Sequence, residues 1–235
     1  MDKLQNKKCL SKLTLQCIAM ASMLIDHVGV ALLPYTVLRC IGRLAFPIFA
    51  YFIAEGFART HSFKKYLLRM AVFALLAEIP FNLMKAGELW MPLCQNVLWT
   101  FCIALLCLRG LDKLRQKHEG TLLWALDILL VCLAGYVAGD LLYTDYAGWG
   151  VLLVIGFSLC RTFPGYYCYG GEFLCLAIFS IIGFGGIEIF ALLSLPLLWL
   201  YNGKPGKQSP AIRYACYAFY PVHLLILGWI ARCVR

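Results

Sequence analysis

An acid and an imidazole stand side by side at Asp26-His27, inside a stretch from Leu15 to Pro34 that is otherwise apolar and long enough to cross a bilayer. An ionisable side chain left in hydrocarbon costs about 3 kcal/mol or more, so such a pair marks a functional site by default. The chemistry it offers is proton transfer. Histidine is the side chain best matched to it near neutral pH, and a carboxylate can fix the ring's tautomer and stabilise the imidazolium. Neighbouring helix positions point about 100° apart, so Asp26 turned toward another helix is the alternative arrangement. Polar insertions of the same kind recur along the chain at Arg43, Glu55, Arg69, Glu78 with Asn82, Gln95-Asn96, Asp127, Asp145 and His223. Together they predict a polar cavity inside a helical bundle. Taken singly, several have a simpler structural reading: Arg43 with Glu78 as a buried ion pair, and Gln95 or Asn96 as an interhelical hydrogen bond.

The elements that must position these groups follow from composition. With 62% apolar and 14% charged residues and a mean hydropathy of +0.78, a chain of 235 residues has too few polar side chains to cover a water-soluble globule. An all-α, polytopic integral membrane bundle is expected. The basic run Lys3, Lys7, Lys8 and Lys12 resembles the start of a signal peptide, but the apolar part behind it is too long, lacks a small-x-small cleavage site and carries Asp26-His27, which predicts a retained helix. Apolar segments lie at about 14–33, 41–58, 66–84, 93–109, 121–139, 146–161, 171–184, 187–201 and 214–233, giving nine expected spans. No fixed-period repeat and no long linker divides them, so a single domain over 1–235 is expected.

The positive-inside rule tests that count. With the N-terminus in the cytoplasm and nine crossings, only Arg39, Arg43, Lys85, Arg232 and Arg235 of the 21 Lys and Arg fall outside, which supports N-in and C-out. The net charge of +9 then reads as a topology signal and an attraction to anionic membrane lipid, with no nucleic-acid partner needed. A basic inner face also suits a polyanionic cytosolic cofactor. The twelve cysteines are scattered without Cys-x-x-Cys or Cys/His ligand spacing, so no metal site or disulfide framework is expected. On this topology Asp26, His27, Arg43, Glu78, Asn82, Gln95, Asn96, Asp145 and Tyr146 share one layer in the outer half of the bilayer. Glu55 and Asp127 lie nearer the cytoplasm, and His223 sits near the middle of the last span.

Those residues sit in blocks that carry a family resemblance. Ile18-Ala-Met-Ala-Ser-Met-Leu-Ile-Asp-His-Val-Gly29 and Gly42-Arg-Leu-Ala-Phe-Pro-Ile-Phe-Ala-Tyr-Phe-Ile-Ala-Glu-Gly-Phe57 resemble the opening blocks of the TraX family. Lys65-Tyr-Leu-Leu-Arg69, Ala77-Glu-Ile-Pro-Phe-Asn82, Gln95-Asn-Val-Leu-Trp-Thr100, Asp145-Tyr146, Arg213-Tyr214 and Phe219-Tyr-Pro-Val-His223 follow in the same order, while 162–200 carries little of the match. The resemblance implies membrane-embedded acetyl transfer: TraX is known for acetylating the N-terminal amine of conjugative pilin. The family also looks like a relative of multi-span acyltransferases that pass an acetyl group from cytosolic acetyl-CoA to an acceptor. In the heparan-type transmembrane acetyltransferases a first-helix histidine is catalytic, and their Asn/Asp-His step before a Phe-Pro-x-Phe helix is similar to Asp26-His27 and Phe46-Pro-Ile-Phe49 here.

On that resemblance His27 is the expected general base, with Asp26 raising and orienting its basicity and Glu78 binding a cationic acceptor or relaying protons. Asn96, Gln95 or Arg43 would stabilise the tetrahedral oxyanion, and Asn82, Asp145 and Tyr146 would line the acceptor site. Lys64, Lys65, Arg69, Arg213 and His223 are the expected cofactor-binding set, the cations facing the phosphates of acetyl-CoA. The acceptor is an amine, a peptide or a glycan, and the location a bacterial cytoplasmic membrane. Direct transfer and an acetyl-histidine intermediate are both open, as is a homo-oligomer. A proton-coupled transporter or flippase is the alternative function, though such carriers usually show repeated halves and none is visible here.

Overall fold

The computed structural model describes residues 8–207 and 209–234; Lys3, Lys7 and Arg235 of the topology argument lie outside them. The described chain is helical almost throughout: α1 (Lys12–Ala31), α2 (Thr36–Gly42), α3 (Ala45–Arg59), α4 (Phe63–Ala86), α5 (Val97–His118), α6 (Leu122–Leu141), α7 (Ala147–Cys160), α8 (Tyr166–Ala177), α9 (Ser194–Trp199) and α10 (Pro210–Val234). Between α8 and α9 the helix widens into a π-helical segment, Ile178–Phe184, and then tightens into a 3-10 segment, Gly186–Leu193. All-helical architecture is the form hydrocarbon imposes, because every backbone N–H and C=O must be satisfied within its own segment.

Each of the nine expected segments coincides with a helical stretch, yet six among the described residues are long and apolar enough to cross a membrane: Lys12–Ala31, Thr36–Arg59, Phe63–Ala86, Leu122–Leu141, Tyr166–Phe184 and Pro210–Val234. The other three fall short of a full apolar span for physical reasons. Ala147–Cys160 and Gly186–Trp199 are short apolar helices. Helix α5 is long enough, but its second half carries Arg109, Asp112, Lys113, Arg115 and Lys117. The second span, expected at 41–58, begins earlier at Thr36 and is broken between α2 and α3 at Arg43-Leu44.

The chain folds into two compact units, each assembled from separated stretches. One comprises residues 1–49, 79–89 and 172–235, the other 50–78 and 90–171. In the first, α1 is capped by Ser11, whose hydroxyl accepts from the Thr14 N–H at 3.2 Å. Leu10 joins the far end of this unit by exchanging backbone bonds with Leu200 and Asn202. Helices α1 and α2 form a tight hairpin, fastened where the Ser22 hydroxyl donates to the Ile41 carbonyl at 2.5 Å, and α10 packs along α1. Its core is apolar side chains with little or no exposure, including Leu15, Ile48, Leu176, Phe179 and Leu224. Gly185 and Gly186, both with positive φ (67° and 53°), make the reversal between the π and 3-10 segments, a backbone that side chains rarely tolerate. In the second unit α5, α6 and α7 pack against one another around Phe101, Leu105, Val151, Val154 and Phe157.

Candidate functional site

In the first unit the ionisable groups form two linked sets on α1. Asp26, buried, receives two guanidinium groups from α2 and its C-terminal turn: Arg39 Nη1 at 2.8 Å on Oδ2 and Arg43 Nη2 at 2.6 Å on Oδ1. Arg43 then reaches across to Glu188 of the 3-10 segment, Nη1 to Oε2 at 2.9 Å, and its Nε donates to the Arg39 carbonyl at 3.2 Å. Two cations and two buried anions balance, which is the condition for keeping such charges away from water. Gly42 is what lets them meet: a Cβ there would collide with the Asp26 carboxylate, so only glycine allows α2 to lie this close.

His27, one position on, points elsewhere. Its Nδ1 lies 2.7 Å from Nε2 of His223 on α10, and His223 Nδ1 lies 2.7 Å from the Phe219 carbonyl oxygen. The two imidazole centroids are 5.0 Å apart with planes only 15° from parallel, so the rings meet nearly edge to edge, as a bond between in-plane nitrogens requires. Tyr220 flanks both rings, at 6.5 Å from His27 and 5.8 Å from His223. Among the described residues His27 Nε2 has no hydrogen-bond partner, and Arg39, Arg43 and Lys85 lie within electrostatic reach of the ring.

In the second unit Glu78 is the polar centre. Its Oε2 accepts from Asn96 Nδ2 at 2.5 Å and from Trp99 Nε1 at 3.1 Å, while Oε1 is buried with no hydrogen-bond partner among the described residues. Asn96, fully buried, also caps α5: its Oδ1 accepts from the Leu98 N–H at 3.1 Å and its Nδ2 donates to the Ala74 carbonyl at 2.9 Å. Gln95 Nε2 donates to the carbonyls of Met91 and Pro92, and its backbone N–H donates to Tyr143 at 2.9 Å, which brings it beside the turn leading into Asp145-Tyr146. Tyr143 and Ala147, at either end of that turn, both have positive φ.

These contacts can be set against known sequences. The family model described as TraX protein matches residues 11–231. The chain belongs to the TraX family. A curated relative, the probable fimbrial assembly protein FimC of serogroup H1 from Dichelobacter nodosus, is 30% identical over 245 residues, spanning 92% of this chain and 94% of that protein. No solved structure matches. Six apolar helices and TraX membership together make this a multi-pass membrane protein.

The residues singled out in this TraX chain fall into place unevenly. Asp26 does not orient His27: the carboxylate is taken up by Arg39 and Arg43, the second of the two helical arrangements open from sequence, and His223 supplies the partner to the ring. Arg43 pairs with Asp26 and Glu188. His223 stands with His27 and not with the cations expected around a cofactor; Arg213 lies ten positions earlier on the same helix, about 15 Å along its axis. Asn96 and Gln95 spend their side-chain amide donors on main-chain carbonyls and Glu78, which leaves neither amide nitrogen free for an oxyanion. Asn82 Nδ2 donates to Leu89 at 3.3 Å, and its Oδ1 is buried without a partner. Asp127 closes on His118 at 2.6 Å, and Glu55 on Arg59 at 3.1 Å.

Lys64 and Lys65 are exposed on the first turn of α4, with Arg69 a turn further on, its guanidinium 6.0 Å from the Tyr66 ring and its Nε buried without a hydrogen-bond partner. Arg213 is exposed near the start of α10. Sequence reasoning misses Glu188 and Trp99 and undervalues Arg39 and Gly42. Glu188 is visible in principle, as an acid inside the apolar run Gly185–Leu200, and Arg39 as the cation one helical turn before Arg43.

Proposed function

We propose that this TraX-family chain is an acetyl-CoA-dependent acyltransferase of a bacterial cytoplasmic membrane that acetylates an acceptor amine. The observation that carries this reading is His27: an imidazole inside the bundle, bonded through Nδ1, with Nε2 unbonded among the described residues. The neutral amine nitrogen attacks the thioester carbonyl carbon and passes its proton to His27 Nε2. As the carbon–sulfur bond breaks, the departing thiolate takes that proton, leaving an amide and free CoA thiol. Negative charge gathers on the carbonyl oxygen in between. The name of the Dichelobacter nodosus relative, a fimbrial assembly protein, supports a pilin-type N-terminus as acceptor.

The fit of the donor rests on charge. Lys64, Lys65 and Arg69 are three cations within two turns of α4, a density that suits the phosphates of CoA. We place Lys64, Lys65 and Arg69 on the cytoplasmic face, with the N-terminus inside as the Lys and Arg distribution favours; the C-terminus lies outside when the three short or charged helical segments cross as well as the six long ones. Membrane vesicles of the two orientations test donor and topology together. Inside-out vesicles given acetyl-CoA and processed pilin-type peptides or simple amines should release thiol, and sealed right-side-out vesicles should not. No release in either orientation, with purified protein also silent, overturns the reading.

Replacing Arg69 or Lys65 with Ala should weaken acetyl-CoA binding by about tenfold and flatten its dependence on salt, since attraction to a polyphosphate is partly electrostatic. Titration calorimetry at two ionic strengths reads both effects. Unchanged affinity in both variants moves the donor site elsewhere.

A further inference from the structure

The bond between the two imidazoles has a direction, and the Phe219 carbonyl sets it. A carbonyl oxygen only accepts, so His223 Nδ1, 2.7 Å away, carries the proton of that contact. A neutral imidazole has one N–H, which leaves His223 Nε2 as a lone pair. The proton between the rings, across 2.7 Å, must then belong to His27 Nδ1, and His27 Nε2 is left as the bare nitrogen. A charged His223 would reverse this order, but it would place an imidazolium 95% buried, with no carboxylate bonded to either ring among the described residues.

We infer that His223 is a positioning residue that fixes His27 in the Nδ1–H tautomer and stabilises it when Nε2 takes up a proton. This assignment rests on His27 being the base of the proposed transfer. His223 does for the ring what a carboxylate does in a serine-hydrolase triad, without adding a charge to the bundle. The Nδ1 proton stays on His27 throughout; only the strength of its bond to His223 changes as the ring becomes cationic. The real carboxylate next door, Asp26, is held by two guanidinium groups and cannot serve. The Phe219 carbonyl lies one turn before His223 on α10. The edge of His223 is thereby held at both nitrogens.

The test reads the tautomer directly. Two-bond nitrogen–proton correlation spectra of protein labelled with ring nitrogen-15 histidine distinguish Nδ1–H from Nε2–H at each of the four histidines, with assignment by single replacement. Wild-type protein should show His27 as Nδ1–H. In His223→Leu, His27 should become a mixture of tautomers, and thiol release should fall by about a hundredfold. His223→Gln supplies an oxygen acceptor at the same place, so it should keep the Nδ1–H tautomer and recover turnover to within about tenfold of wild type. It also keeps the test decisive should the leucine variant fail to fold. An Nε2–H tautomer at His27 in the wild type, or a glutamine variant no better than leucine, overturns the inference. The spectra need neither donor nor acceptor. The expected tautomers without any thiol release therefore support the pairing while sinking the reaction, and release with the wrong tautomer sinks the pairing alone.

Discussion

Replacing His27 with Ala is expected to leave a folded, detergent-soluble protein that still binds acetyl-CoA and has lost at least about a hundredfold in transfer rate, the lower end of what removal of a general base takes away. The variant separates catalysis from packing because the two roles fail differently. A histidine that only filled space would, when truncated, leave a cavity and an orphaned acceptor at His223 Nε2, lowering stability by about 1–3 kcal/mol while surviving molecules kept their turnover. Loss of a base lowers turnover in every molecule, however well it folds. Rate and melting temperature must therefore come from the same samples. Near-native turnover per folded molecule would remove His27 from the chemistry and pass the role of base to Glu78, whose Oε1 is buried with no hydrogen-bond partner among the described residues.

That such a histidine is legible in the sequence alone has a physical reason. A polar residue inside a long apolar run is conspicuous, so Asp26, His27, Arg43, Glu78 and His223 all stand out, and helix type and approximate span limits follow from the same runs. Partners are another matter. Sequence spacing fixes which residues share a helix face but not which helix lies opposite, and so the partners of Arg43 on α1 and the 3-10 segment are not visible in it. Nor does hydropathy show that one apolar run, 41–58, breaks at Arg43-Leu44. The approach of the Asp26 carboxylate to Gly42, just before the break, is likewise a steric fact about two helices. The π and 3-10 segments at 178–193 escape for the same reason. Their apolar side chains read as one more helix, while the widened and tightened turns that carry Glu188 toward Arg43 are set by Gly185, Gly186 and the surroundings.

The network around Arg43 carries the second large expectation, this time on stability. Arg43→Ala leaves Asp26 with Arg39 alone and Glu188 with no hydrogen-bonded cation among the described residues, two carboxylates in a bundle that gives them no water. Removing one member of a buried ion network costs about 3–5 kcal/mol, because the charge left behind is uncompensated. Arg39→Ala is the control: its side chain is 30% exposed against 10% for Arg43, so the same charge is removed where solvent screens it, and a loss of about 1 kcal/mol is expected. Arg43→Lys should behave like the alanine variant more than like wild type, since a single ammonium cannot replace a planar fork that donates to Asp26 and Glu188 at once. Neutralising the orphans, as Asp26→Asn and Glu188→Gln in the Arg43→Ala background, should recover part of the loss, and that recovery distinguishes stranded charge from a mere cavity. Thermal unfolding in one detergent across wild type and these four variants makes the comparison. Equal melting temperatures for Arg43→Ala and Arg39→Ala, or no recovery in the triple variant, would mean that the network does not hold α1, α2 and the 3-10 segment together.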